Sequence, residues 1–316
     1  MTVSAPGSHR EPESQSSLPL SEVEQFDLLG IDFSSSPTRK KPVAVVHARW
    51  EGPVLKVQSA LSLPTLPEFE TLMRVGVQAQ PGAATQADSV QPFLAVIDMP
   101  FGLSRELVDG LNWPGARRSD HRTWVDLMTF YSKLSRADIR TTFKAWCDAR
   151  PAGQKFAHRY CDKPAGSSPS MKWVNPPVAY MLHAGAPLLQ KAGVFIPGMH
   201  RGDERRIALE GYPGYWARQI LGRQSYKSDD AAKDTADRRM ARSELLCALE
   251  EGMVLGIRMA FPRSVRGMML EDPKADHLDA ALCALVAGWC AKRADQRFGL
   301  PLRVDPVEGW IAGIPV

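Results

Sequence analysis

Short runs of apolar residues, separated by turn residues, follow a polar start of the chain. Three of them come in close succession: "FDLLGIDFS", "KPVAVVHARW" and "PVLKVQSAL". Runs of this length and spacing predict three strands in an antiparallel meander. The segment "LPEFETLMRVGV" then has apolar residues at helical spacing, whereas "PFLAVIDMPFG" is typical of a buried strand that stops at Pro100.

The second half of the chain combines helical patterns with one more strand. The segments "RTWVDLMTFYSKL" and "PVAYMLHAGAPLLQKAG" predict helices, whereas "PAGSSPSMKWVNPP" is typical of a loop. A strand is predicted by "RRIALEGYPG", and two long helices by "DTADRRMARSELLCALEEGM" and "KADHLDAALCALVAGWCAKR". These elements predict an α/β fold, in which a mixed sheet carries helices on its faces.

The composition of the first residues, the longest apolar stretch and the spacing of the cysteines limit the class of protein. Residues 1–25 are rich in Ser, Pro and Glu, which predicts a disordered tail, and we interpret residues 26–316 as a single domain. The start does not resemble a signal peptide, and the longest apolar stretch, "ALCALVAGWCA", is too short to cross a bilayer. The five cysteines lack paired spacing. We therefore expect a cytoplasmic protein with reduced thiols and no membrane partner.

Positive charge is concentrated in the middle of the chain. Residues 111–206 hold 16 Lys and Arg against 7 Asp and Glu, which is a net charge of +9, while the whole chain has +4. A basic region is typical of proteins that bind nucleic acid, although a solvated surface of mixed sign explains it equally well. We interpret residues 111–205 as a long, mainly helical insertion that forms a basic cap.

Acidic residues recur where predicted strands end and where the last helix begins. Asp32 lies in the first strand, Asp98 and Glu210 end later strands, and Asp276 and Asp279 open the last long helix. Ligands of α/β sheets gather at strand ends, and residues three apart share one helix face. Clustered carboxylates repel one another unless protons or cations neutralise them. Hard oxygen ligands suit Mg²⁺ or Mn²⁺.

Each of these acids also has a structural interpretation. Asp32, which precedes three serines, and Asp98, which precedes Met-Pro, are both suited to turns. Asp276 is suited to an N-cap with Asp279 three residues further on. Glu210 fits a solvated strand end. The residues alone leave these alternatives open.

Basic and aromatic residues supply candidate contacts to a polyanion. Lys227 in "SYKSDD" and Arg105 after "MPFGLS" are candidates for phosphate contacts near the acids. Arg159, Lys172 and Trp173 interleave charge with aromatic surface, a combination that holds a backbone and stacks a base. Trp173 fits equally well as a residue that packs its loop against the core.

Five short motifs together resemble a domain-of-unknown-function family of predicted RNase H-like nucleases related to the RuvC resolvase group. The motifs are "GIDFSSS", "AVIDMPFGL", "LEGYPG", "DHLDAALCA" and "EGWIAGIP". The resemblance covers roughly residues 26–316 and is weak across residues 111–205. It implies an RNase H-like fold, a five-stranded mixed sheet flanked by helices. It also implies that Mg²⁺ or Mn²⁺ is bound by Asp32 on the first strand, Asp98 on the fourth, and Asp276 and Asp279 on the closing helix.

One departure from that pattern concerns the fourth strand. Resolvases commonly have Glu at this position, and this chain has Asp98, whose shorter side chain changes the reach of the carboxylate. We expect metal-dependent hydrolysis of phosphodiester bonds in nucleic acid, with Asp32, Asp98, Asp276, Asp279 and Glu210 as catalytic residues. Two alternatives remain. "GIDFSSS" also resembles the phosphate loop of actin-like kinases, which implies a phosphotransferase or ATPase, and a non-catalytic protein on the same fold would bind nucleic acid without cleaving it.

Overall fold

The computed structural model describes residues 20–23, 25–77 and 91–315. The disordered tail expected over residues 1–25 falls mainly outside these ranges. Within the tail, however, Leu20–Val23 form a short helix, α1, and the Val23 side chain is fully buried in the hydrophobic core. The packed part of the chain therefore includes residues that the polar composition assigned to the tail.

Seven strands of the described residues form one mixed sheet in the order β5-β6-β4-β1-β2-β3-β7. The predicted meander is confirmed, because β1, β2 and β3 pair antiparallel, while β4 lies parallel to β1 and β6 parallel to β4. The sheet has two strands more than expected, β5 and β7. Both are edge strands of two and three residues, too short to leave an apolar pattern. The strands are β1 (Asp27–Asp32), β2 (Val43–Glu51), β3 (Val54–Leu63), β4 (Phe93–Asp98), β5 (Val194–Phe195), β6 (Asp203–Glu210) and β7 (Arg258–Ala260).

The remaining α-helices of the described residues are α2 (Leu66–Val75), α3 (Arg105–Gly110), α4 (Thr123–Tyr131), α5 (Arg136–Asp148), α6 (Asp162–Ala165), α7 (Val178–Ala192), α8 (Pro213–Leu221), α9 (Ala236–Glu251), α10 (Arg263–Glu271) and α11 (Asp276–Ala291). The helical patterns in the sequence predict α2, α4, α7, α9 and α11. They do not isolate α3, α5, α6, α8 or α10, although α5, at 13 residues, is longer than α2 and α4.

Helices cover both faces of the sheet. On one face, α8 to α11 pack against the even-numbered residues of β1 and β4, such as Leu28 and Val96. On the other face, α2 to α5 and α7 pack against the odd-numbered residues, such as Ile31 and Ile97. The segment 111–205 thus contributes α4, α5 and α7 to a layer of the core. This differs from the expected cap, because the apolar residues of these helices join the same buried cluster as the strands.

Helix α11 lies against the centre of the sheet, and Gly30 in β1 allows its close approach. A Cβ atom at position 30 would lie 1.9 Å from the carbonyl oxygen of Ala280 and 2.1 Å from the amide nitrogen of Ala284. Because side chains alternate along a strand, Asp32 faces the same helix two residues further on. The glycine therefore brings the first acid close to the acidic start of α11.

Two findings bear on the general class of the protein. None of the helices in the described ranges combines the length and the apolar character that crossing a membrane requires. The structure pairs none of the five cysteines in a disulfide.

Candidate functional site at the acidic edge of the sheet

Asp32 and Asp98 lie side by side at the ends of two neighbouring parallel strands. They are partners in the register of β1 and β4, and adjacent strands are about 4.8 Å apart. Alternation along each strand places both carboxylates on the face that carries α11. Both residues are partly buried, and neither carboxylate accepts a hydrogen bond from a described residue. The turn interpretation of these two acids therefore has no hydrogen bonds to support it.

Burial and repulsion raise the pKa of both carboxyl groups. Desolvation raises the pKa of Asp32 well above its usual value of 3.8, and the charges of Asp279 and Asp98 raise it further. Desolvation, followed by the charge of Asp279, raises the pKa of Asp98 from 3.8 to about 7. Lys227 opposes both shifts without cancelling them. In the protein alone, these two carboxyl groups therefore keep their protons to a higher pH than an exposed aspartate does.

Asp279 approaches the same edge from α11, where its carboxylate is already engaged. The Tyr226 hydroxyl donates to Oδ1 of Asp279 at 2.5 Å, and Nζ of Lys227 donates to Oδ2 at 2.5 Å. Asp279 is buried, while the side chain of Lys227 is 49% exposed. The charge of Asp279 raises the pKa of Lys227 well above its usual value, so the ammonium group stays charged beside the acids.

Asp276 is the first residue of α11 and lines the same cavity as Asp32. The N-cap position belongs to Ala275, which has a left-handed backbone (φ 59°), and no side chain caps this helix end. The N-cap interpretation of Asp276 is therefore wrong. Desolvation, with the nearby charge of Asp272, raises the pKa of Asp276.

Glu210 ends β6, but alternation turns its side chain to the opposite face of the sheet, with Ala208. Its carboxylate accepts hydrogen bonds from the Arg159 guanidinium at 2.6 and 2.7 Å and from the Phe101 amide at 2.9 Å. Glu210 is only 3% exposed. These contacts describe a buried structural ion pair, so we do not include Glu210 among the candidate catalytic residues.

Arg159 and Arg105, which the sequence suggested as substrate contacts, are engaged within the protein. All five N–H groups of Arg159 donate internally, to the carboxylates of Asp162 and Glu210 and to the Glu308 carbonyl. Arg105 donates two hydrogen bonds to the Asp305 carboxylate, at 3.0 and 2.6 Å. A phosphate contact by either guanidinium would break these pairs, so the contacts favour structural roles.

Lys172 and Trp173 lie just before the loop residues that reach the cavity. The Trp173 ring packs against Phe156 with a centroid distance of 5.9 Å and joins the edge of the hydrophobic core. This arrangement matches the packing interpretation of Trp173. Neither residue lines the cavity, whereas Asn175 does.

A cavity of about 630 Å³ opens over the acids. The acidic residues of its lining are Asp32, Asp98, Glu210, Asp229 and Asp276, and the basic residues are Lys41, Arg159, Lys227 and Lys274. The serines that follow Asp32 supply hydroxyl groups, and the loop before α7 supplies mostly neutral residues. The lining includes Ser34, Ser35, Ser36, Ser167, Ser168, Asn175, Pro176, Pro177, Val178 and Met181.

Sequence reasoning missed several of these residues. Lys41, Lys274, Tyr226 and Ser168 were not singled out, because no motif or periodic pattern marks them. They come together only through contacts between segments distant in the chain. Tyr226 was the easiest to find, since it immediately precedes Lys227.

The donor set of this site suits a hard divalent cation. Among the described residues, no group of three or more His, Cys, Asp or Glu side chains could hold a metal ion. Tyr226 and Lys227 engage both oxygens of Asp279, so this acid is not available in the arrangement seen. Mg²⁺, however, is commonly bound by one or two carboxylates together with water and substrate phosphates. Asp32 and Asp98 supply two such carboxylates, which accept no hydrogen bond within the described residues.

Comparisons with family models, with curated proteins and with solved structures give no match. The fold and the site therefore define the class on their own. This is an α/β protein with a mixed sheet, in which a pair of acids at the strand ends faces a cavity lined by serines and lysines.

Proposed function

We propose that this protein hydrolyses phosphodiester bonds of nucleic acid with Mg²⁺ or Mn²⁺, on an RNase H-like sheet. The main observation that supports the proposal is the pair of Asp32 and Asp98. The two acids are in register on adjacent strands, and each has a raised pKa and no hydrogen-bond donor among the described residues. A cation held by such carboxylates would relieve their mutual repulsion and offset the cost of their burial.

The positions of the acids along the chain support the RNase H-like interpretation. Asp32 ends the first strand, Asp98 ends the fourth, and Asp276 and Asp279 lie on the last long helix, as the motifs imply. The five strands β1 to β4 and β6 make up the centre of the sheet, and the two additional strands are short and lie at its edges.

The acids, the lysine beside them and two serines of the site can then be assigned roles in binding and hydrolysing a phosphodiester. Asp32 and Asp98 hold the cation, which when bound lowers the pKa of water and stabilises the leaving oxygen. Asp279 fixes the ammonium group of Lys227 beside the acids, where it offers a positive charge to a phosphate oxygen. The hydroxyl groups of Ser34 and Ser35 offer further donors in the same cavity.

Cleavage of labelled oligonucleotides tests the proposal. Single-stranded and duplex DNA and RNA are incubated with the purified protein in Mg²⁺, in Mn²⁺ and in EDTA. We expect cleavage only with a divalent ion, and a loss of about 100-fold or more in Asp32→Asn and Asp98→Asn. The matched control Asp148→Asn, an exposed acid in α5, should cleave like the wild type. Cleavage that persists in EDTA or in both variants, or no cleavage of any substrate, would overturn the proposal.

A second candidate is a phosphotransferase or ATPase. It is favoured by Ser34, Ser35 and Ser36, which line the cavity immediately after Asp32 and are suited to the phosphates of ATP. A thermal melt with ATP and Mg²⁺ separates the two functions, since a specific ligand raises the melting temperature. Stabilisation by ATP, together with no cleavage of nucleic acid, would favour this candidate. Binding of nucleic acid without cleavage under any divalent ion would indicate a non-catalytic protein.

A further inference from the structure

We infer that nucleic acid reaches the acids as one flexible single strand and not as a duplex. The inference rests on the proposed function, and it names the class of substrate that this cavity admits. Three features of the structure carry it: the size of the cavity, the anchoring of the loop that bounds it, and the placement of its positive charges.

The size of the cavity suits one strand. Its volume of about 630 Å³ lies within the range of clefts that enclose a single small ligand. A phosphate with its own sugar and base is a ligand of this kind. In a duplex, the phosphate that enters the cavity carries with it a paired base and the second backbone. The loop residues Ser168, Asn175 and Pro177 line the same space, so a duplex would have to bring these additional groups past them.

The loop that bounds the cavity is firmly anchored. Near its start, Arg159 bonds to Asp162 at 2.9 Å and to Glu210 at 2.6 Å, and all three side chains are almost completely buried. Nη2 of Arg218 donates to the Ala165 carbonyl at 2.6 Å. Further along, the Ala179 amide donates to the Lys172 carbonyl at 2.9 Å. These contacts hold both ends of the loop, so we expect this boundary to stay in place when a substrate binds.

Few of the residues that line the cavity are basic. Lys41, Lys227 and Lys274 line it, while Arg159 is the single basic residue of the segment 111–205 in the lining and has no free N–H group. The Lys41 ammonium is 3.7 Å from the carboxylate of Asp229, and both side chains are exposed. Proteins that bind duplex DNA neutralise many phosphates along an extended basic surface. Three lysines within one cavity match a short stretch of a single backbone.

Fluorescence anisotropy in EDTA and cleavage in Mn²⁺ test the inference on the full chain. The probes are a short labelled oligonucleotide, free and annealed to its complement. We expect the single strand to bind at least about 10-fold tighter than the duplex and to be cleaved correspondingly faster, because only the single strand reaches the acids. Lys41→Ala and Lys274→Ala should each weaken binding of the single strand and reduce its salt slope by about 0.7.

One further variant is a control, and another tests the cavity itself. Lys144→Ala, at an exposed lysine of α5 paired with Asp148, should leave affinity and salt slope unchanged. Ser168→Trp, which places a large ring in the cavity, should reduce cleavage of the single strand while the thermal stability stays near that of the wild type.

The possible outcomes separate the inference from the proposed function. A duplex bound and cleaved as well as the single strand would overturn the inference and leave the proposed function standing. If neither form is hydrolysed, the proposed function fails. Binding then decides the inference: a preference for the single strand that depends on Lys41 and Lys274 supports it, and equal or absent binding overturns it.

Discussion

Asp98→Asn should make the protein more stable in the absence of divalent ions at neutral and alkaline pH. The Asp98 carboxylate is partly buried beside Asp32 and accepts no hydrogen bond from a described residue. Asparagine keeps the shape of the side chain and removes its charge. The substitution therefore removes the desolvation of a charge and its repulsion by nearby acids without breaking a hydrogen bond within the described residues, although it also removes the weaker attraction to Lys227.

The size of the effect follows from the pKa of Asp98, which rises from 3.8 in the unfolded chain to about 7 in the folded protein. At 1.36 kcal/mol per pKa unit, this shift corresponds to at most about 4 kcal/mol of lost stability at high pH. Water reaches the partly exposed carboxylate and weakens these effects, so we expect about 1–3 kcal/mol.

The sign of the pH dependence follows from the same shift. Below a pH of about 4, Asp98 is protonated in the folded and the unfolded protein, so this residue does not reduce the stability of the wild type. As the pH rises towards about 7, the folded protein keeps a proton that the unfolded chain has released, and the wild type loses stability. Asparagine does not titrate, so the advantage of the variant grows through this window and is constant above it.

Urea unfolding followed by tryptophan fluorescence measures the effect. The wild type, Asp98→Asn and the control Asp148→Asn are compared in EDTA below and above the pH window, and again with Mn²⁺. We expect the variant to gain stability at high pH in EDTA and to lose most of the stabilisation by Mn²⁺. A variant that is less stable than the wild type at high pH in EDTA would refute the reasoning, since it would mean that Asp98 makes structural hydrogen bonds. Unchanged stabilisation by Mn²⁺ would remove Asp98 from the metal site.

Three further predictions concern the contacts around the site. Asp279→Asn should lower stability in EDTA, opposite to Asp98→Asn, because Asp279 pairs with Lys227; a thermal melt that shows a gain would contradict this. Arg159→Met should destabilise the fold by about 3–5 kcal/mol in urea, because it leaves two buried carboxylates without their partner, and a change below 1 kcal/mol would contradict it. Gly30→Ala should cost about 3 kcal/mol or more in the same assay, since its Cβ meets the main chain of α11, and an unchanged midpoint would show that the helix can move away.

The sequence indicated most of the fold because β1 to β4 contain clear apolar runs and α11 is a long helix that is apolar on almost all sides. It did not indicate the two-residue strand β5, which has too few positions to show alternation. It also could not show that α4, α5 and α7 form a layer of the core. The helical spacing of apolar residues indicates that a helix buries one face, but it does not indicate which element that face packs against.

The site was predictable to the extent that it depends on strand ends. Asp32 and Asp98 end parallel strands, and alternation places both on one face. Glu210 also ends a strand, but it lies two positions after Ala208 and therefore faces the same side of the sheet as Ala208, opposite to Asp98. Its partner Arg159 lies 51 positions earlier in the chain. Such pairings depend on tertiary contacts that no local pattern carries.

The contact between Gly30 and α11 also determines what controls the spacing of the acids. The approach of the strand to the helix is limited by main-chain atoms of Ala280 and Ala284, not by the shape of any side chain. Substitutions that repack the apolar core can therefore alter its volume and its rigidity while Asp32 and Asp279 keep their separation. Position 30 is different, because any side chain there would push β1 away from α11 and so increase the distance between Asp32 and Asp279. The geometry of the site is thus tolerant of change in the bulk of the core and sensitive to a single methyl group at one glycine.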